Sequence, residues 1–133
     1  MLTEPNQMNP LTLAYLGDAV YEAFVRERLV KKENFAGHAD RMHKAGVSYV
    51  CAGAQSEIIK KLMDSLSEEE QSVVKRARNH KTATKAKNAS AVDYKWATGF
   101  EALIGYLKIC GREERLSEIM SMAADIAEGK DNE

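Results

Sequence analysis

The sequence predicts an all-α fold, and three observations carry that expectation. Apolar residues recur at three-to-four spacing through most of the chain. No alternating apolar–polar stretch longer than four residues is bounded by turn signals on both sides. The prolines, Pro5 and Pro10, both precede the first long apolar segment, so nothing interrupts the later periodic stretches. With 133 residues, 44% hydrophobic and 29% charged, the chain is expected to form a single domain, residues 1–133, around one core.

The first helix is expected from about Leu11 to Val30, with Pro10 near its first turn, where the missing N–H does no harm. Leu13, Leu16, Val20 and Phe24 form its apolar face, and Lys31 and Lys32 place positive charge at its C-terminal end. After a polar connection containing Gly37, a second helix is expected over Ala39 to Asp64, buried through Val47, Val50, Ala54, Ile58 and Leu62. Gly46 and Gly53 inside it cost about 1 kcal/mol each relative to alanine, so close helix packing is expected there. Ser67 followed by Glu70 is a capping box opening a third helix to about Arg78. Asn79 to Ala89 has no apolar period and reads as a loop. Ser90 caps a further helix through Cys110, which Gly111 ends, and the last helix spans Glu113 to Glu128 through Leu116, Ile119, Met120 and Ala123.

Several classes are disfavoured. No apolar run approaches the roughly 20 residues that span a bilayer, and the first residues lack the order of a secretory signal. Cys51 and Cys110 are too few for a stapled secreted scaffold and read as reduced thiols of a cytoplasmic protein. His38, His43 and His80 are not spaced as a metal site. The net charge of −1 decides little, but its distribution does: between Gln71 and Val92 lie six cations and no carboxylate.

Two carboxylates stand out. Asp18 lies in Leu13-Ala14-Tyr15-Leu16-Gly17-Asp18-Ala19-Val20-Tyr21-Glu22, and Glu101 lies in Ala97-Thr98-Gly99-Phe100-Glu101-Ala102-Leu103-Ile104-Gly105. An ionised carboxylate on an apolar helix face costs several kcal/mol, roughly, unless it is paired, hydrogen-bonded or metal-bound. Two of them on two buried helices point to a shared cation. The alternative for Asp18 is a buried carboxylate capping backbone groups or pairing with a lysine or arginine.

Leu16-Gly17-Asp18-Ala19-Val20 resembles the helical signature of the ribonuclease III family, and Gly99-Phe100-Glu101-Ala102-Leu103-Ile104-Gly105 is similar to its second acidic helix. The order and separation of the two segments also fit, as do His43-Lys44-Ala45-Gly46-Val47-Ser48-Tyr49-Val50 and Arg76-Ala77-Arg78-Asn79, which are similar to the Mini-III subgroup. That subgroup is a catalytic domain standing alone, and the chain leaves no room for a double-stranded-RNA-binding domain. The resemblance implies the family's helical endonuclease fold and a homodimeric, Mg²⁺-dependent endoribonuclease cutting double-stranded RNA, each protomer cutting one strand. For the subgroup it implies maturation of precursor 23S ribosomal RNA, with a large-subunit ribosomal protein as a candidate helper. Where the broader family has two further acids, this chain has Ala14 and Thr98.

On that reading Asp18 is the main metal ligand and catalytic carboxylate, and Glu101 the second. Mg²⁺ needs only one or two carboxylates if waters and a substrate phosphate complete its octahedron. Thr98 is a candidate to hydrogen-bond a coordinated water, and Glu22 a weaker one that reads equally as an ordinary helix-pairing glutamate. Arg76, Arg78, Asn79, Lys81, Lys85 and Lys87 are the expected RNA-binding residues, since A-form RNA is recognised through phosphate and 2′-OH contacts. Two other readings stay open: an RNA- or ribosome-binding protein that kept the fold and lost activity, and a helical interaction module with no nucleic-acid role.

Overall fold

The computed structural model describes residues 4–32, 39–81 and 90–129. Its helices are α1 (Pro10–Val30), α2 (Ala39–Val50), α3 (Ala52–Leu62), α4 (Glu68–Arg78), α5 (Ala91–Ile109) and α6 (Glu113–Ala127), with 3₁₀ turns at Pro5–Gln7 and Met63–Ser65. Among the described residues there is no strand. The all-α expectation holds.

Local chemistry sets most of the ends. Asn9 caps α1 by accepting from the Leu11 N–H at 2.8 Å, while Pro10 occupies a position that needs no donor. The Ser67–Glu70 capping box is complete: Glu70 N–H donates to Ser67 Oγ at 3.1 Å, and Ser67 N–H donates to Glu70 Oε1 at 2.9 Å. Ser90 accepts from the Asp93 N–H at 3.0 Å to open α5, and Gly111, at φ +73°, turns the chain out of it.

The expected helix over Ala39 to Asp64 is two helices. Cys51 is extended (φ −67°, ψ 158°) and starts α3 afresh, so α2 and α3 take different directions. Within α2 Tyr49 is the buried residue and Val47 is exposed, whereas α3 buries Gln55, Ser56, Ile58, Ile59 and Leu62. The core face of α1 is also rotated from the expected one. Leu13, Ala14, Gly17, Tyr21, Val25 and Leu29 are buried, while Leu16, Val20 and Phe24 are half-buried.

Helix α5 is the axis of the fold, packed by α1, α3 and α4. From Ala97 to Leu107 every residue except Glu101 is buried, as a helix surrounded by others requires. The close approach expected at Gly46 and Gly53 lies elsewhere. A Cβ on Gly53 would meet nothing within 4 Å, and one on Gly46 would make only ordinary contact, 3.8 Å from Leu29. A Cβ on Gly17 would instead sit 1.7 Å from the Glu101 carbonyl oxygen, and one on Gly105 would sit 1.9 Å from that of Leu13. Backbone touches backbone where α1 crosses α5.

Gly17→Ala should therefore destabilise the chain by about 3 kcal/mol, the upper range for overpacking a site that cannot yield. Gly53→Ala should stabilise it by about 0.5–1 kcal/mol through helix propensity. Urea unfolding of the two variants checks this, and equal stability of Gly17→Ala and the parent chain would contradict the crossing.

Candidate active site

The crossing positions two acids. Gly17 lets α1 lie against the carbonyl of Glu101, and the next residue, Asp18, brings its carboxyl into hydrogen-bonding contact with that of Glu101. The two acids singled out in the sequence thus meet, but with unequal burial. Asp18 is exposed and Glu101 is largely buried. The expectation that Asp18 sits on a hydrocarbon face is corrected here: Tyr15, one turn earlier, is 84% exposed, so this side of α1 faces outward.

Glu101 carries the electrostatic cost. Its pKa is pushed up to about 8, first by burial, then by the charge of Asp18 and the hydrogen bond between the two carboxyls. A hydrogen bond from the Gln55 side chain works in the opposite direction. Near neutral pH Glu101 therefore holds a proton and donates it to Asp18. Among the described residues no lysine or arginine contributes to its shift.

Both expected helpers already have a partner within their own helix. Thr98 Oγ1 donates to the Tyr94 carbonyl oxygen at 3.0 Å, which leaves the hydroxyl oxygen only as an acceptor. Glu22 accepts from Arg26 Nη2 at 2.6 Å, the ordinary helix pair that was its alternative reading. Gln55 is the participant that sequence reasoning missed. It lies three and four residues before Ile58 and Ile59, so it shares their buried face. A polar residue on that face was the available signal.

The donor set fits one hard cation. Among the described residues no group of three or more His, Cys, Asp or Glu side chains is placed to hold a metal. A pair of carboxylates beside solvent matches Mg²⁺, which keeps several waters and takes one or two carboxylates.

The basic segment is partly structural. Arg76 Nη1 donates to the Asn6 carbonyl oxygen at 2.8 Å. Arg78 lies 4.7 Å from the centroid of the Trp96 ring, with Lys60 Nζ at 5.7 Å from the same centroid. The Arg78 Nε also donates to Asn79 Oδ1 at 3.1 Å. Lys81 is exposed. Lys85 and Lys87 lie outside the described residues.

A family model described as the Ribonuclease III domain matches residues 11–112. The chain is 50% identical over 127 residues to the Mini-ribonuclease 3 of Brevibacillus brevis, spanning 96% of this chain and 93% of that protein. It is 49% identical over 127 residues to the Mini-ribonuclease 3 of Symbiobacterium thermophilum, spanning 96% of each. A crystal structure of a Fusobacterium nucleatum protein superposes with a TM-score of 0.80 at 32% identity, covering 87% of this chain and 93% of the other. With the matched span running through both acidic helices, the chain belongs to the ribonuclease III family.

Proposed function

We propose that the chain is a Mg²⁺-dependent endoribonuclease that cuts double-stranded RNA, with precursor 23S ribosomal RNA as its substrate in the cytoplasm. The observation that carries the reading is the contact between Asp18 and Glu101, in which no lysine or arginine among the described residues takes part. Family membership supports the reaction class. A divalent ion bound there supplies Lewis-acid polarisation of the phosphate and a more acidic water. Asp18 offers its carboxylate at the solvent edge, where a phosphodiester can approach. Glu101 offers a second oxygen from inside the fold, and releases the proton it holds against Asp18 when both become ligands. Rigid helices on both sides fix the pair before substrate arrives.

RNA affinity rests on the cations beyond the pair. Lys81, Arg78 and Asn79, together with Lys85 and Lys87, are the proposed phosphate and 2′-OH contacts, while Arg76 divides its guanidinium between that role and the Asn6 carbonyl. A homodimer, one active site per strand, accounts for the exposure of Leu11 and Tyr15 on the helix that bears Asp18. A large-subunit ribosomal protein remains a candidate helper in presenting the substrate.

Asp18→Asn is expected to lower cleavage of long double-stranded RNA at least a thousandfold, with helical content and low-salt RNA binding unchanged. RNA binding by the parent chain without Mg²⁺-dependent cleavage would instead favour the inactive, RNA-binding reading. Sedimentation should give a dimer at micromolar concentration; a monomer there would remove the two-strand scheme.

The Glu101 shift also predicts a pH dependence. Its folded-state pKa is raised from 4.5 to about 8, so its contribution to stability is complete below pH 4.5 and is lost progressively as the pH rises to about 8. Metal-free protein should lose melting temperature across that window, and Glu101→Gln should lose less. Added Mg²⁺ should raise the melting temperature more at pH 8 than at pH 5, because the ion competes with the proton. Equal Mg²⁺ shifts at both pH values would contradict the assignment of Glu101 as a ligand.

A further inference from the structure

Gln55 is an uncomfortable residue for its position. It is 1% exposed, on the face of α3 that buries Ile58, Ile59 and Leu62. Its Oε1 is buried with no hydrogen-bond partner, an omission that costs stability. Leucine or methionine would fill the same volume without that penalty, so packing alone does not explain an amide. What distinguishes the position is its neighbour, because the Gln55 side chain hydrogen-bonds to Glu101.

We propose that Gln55 is a positioning residue for the candidate metal centre, its amide N–H turning the Glu101 carboxylate toward Asp18 and its buried Oε1 presenting an acceptor beside the same pair. This rests on the reading of Asp18 and Glu101 as cation ligands. The amide has two halves with different work. The donor half gives the Glu101 carboxyl a fixed partner on its buried side. The acceptor half is idle in the metal-free chain and suits a donor that arrives with a hydrated cation, such as a coordinated water.

The surroundings leave this work to Gln55. At position 14, where the broader family has an acid, this chain has a buried alanine. At position 98 the threonine hydroxyl gives its proton to the Tyr94 carbonyl. Glu101 donates to Asp18 and accepts from Gln55. Groups that orient ligands from behind commonly change metal affinity 10- to 100-fold, roughly, when removed. A neutral amide also adds no charge to a pair of acids that already repel, which a third carboxylate would do.

The test uses the full chain with Mg²⁺ as the probe. Calorimetric titration without RNA compares the parent, Gln55→Met and Asp18→Asn. Gln55→Met is expected to weaken Mg²⁺ binding about tenfold, to raise the Mg²⁺ concentration for half-maximal cleavage by the same factor, and to recover most of kcat at saturating Mg²⁺. A merely structural role would lower melting temperature and leave the Mg²⁺ dependence in place. Should Gln55→Met bind Mg²⁺ as the parent does while Asp18→Asn does not, the Gln55 proposal is wrong and the carboxylate reading stands. If Asp18→Asn also binds as the parent does, both fall. The parent itself gives a reading that needs no variant to fold: the Gln55 side-chain amide protons in nitrogen-correlated NMR should shift during Mg²⁺ titration with the calorimetric midpoint. Amide signals unmoved at saturating Mg²⁺ overturn the proposal.

Discussion

The backbone contact between α1 and α5 is the constraint on which the candidate site depends. Two helices ordinarily keep side chains between them, and their axes lie about 8–10 Å apart. At Gly17 and Gly105 this spacing shrinks until a methyl group on either residue would overlap a carbonyl of the other helix. Asp is among the shorter acidic side chains, and Glu101 must reach it from a helix that is otherwise sealed inside the fold. Without the glycines, an ordinary helix separation would part the two carboxyls. The same contact fixes rotation as well as distance, since Gly17 buries one side of α1 and leaves Asp18, one residue on, at the solvent edge.

A central helix is a costly place for an acid, and that cost gives the pair its character. The apolar length of α5 on both sides of Glu101 withholds water, which raises the affinity of this carboxyl for a proton. On the proposed reading a proton and a divalent cation compete for one position. Gln55 tempers the competition from the buried side, and solvent reaches the pair from the Asp18 side. The asymmetry between an exposed acid and a buried one suits a site that must accept a phosphodiester on one face and hold its geometry from the other.

What could be read from the chain alone follows from how local the cause is. Ser67 with Glu70, Ser90 and Gly111 act on backbone groups a few residues away, so helix ends near them were legible. The break at Cys51 was not, because the apolar stripe of α2 continues in register into α3 and nothing in the residue types marks the turn. The glycines illustrate the same limit. Gly46, Gly53, Gly17 and Gly105 look alike in sequence, and only the partner helix distinguishes open space from backbone contact. The identity of the two acids was legible from apolar context, whereas their relative burial was not: Tyr15 counts as apolar in a periodicity, yet it stands in solvent. Gln55 was passed over because a single polar residue barely disturbs a stripe.

The strongest argument that the Asp18–Glu101 contact is more than a packing accident comes from the other buried carboxylates. Glu70, 4% exposed, accepts from Arg115 Nε and Nη2, each at 2.9 Å, and Arg115 leads the effects that hold its carboxyl below the usual range. Glu128, with its side chain 8% exposed, accepts from Arg28 Nε at 2.9 Å, Lys32 Nζ at 3.2 Å and Tyr49 OH at 2.5 Å. In both cases the fold brings a cation from another helix and pairs the acid fully. At Glu101 it brings a second acid and an amide. Among the described residues Glu101 gains no such cation, and on the proposed reading the missing positive charge comes from outside the polypeptide.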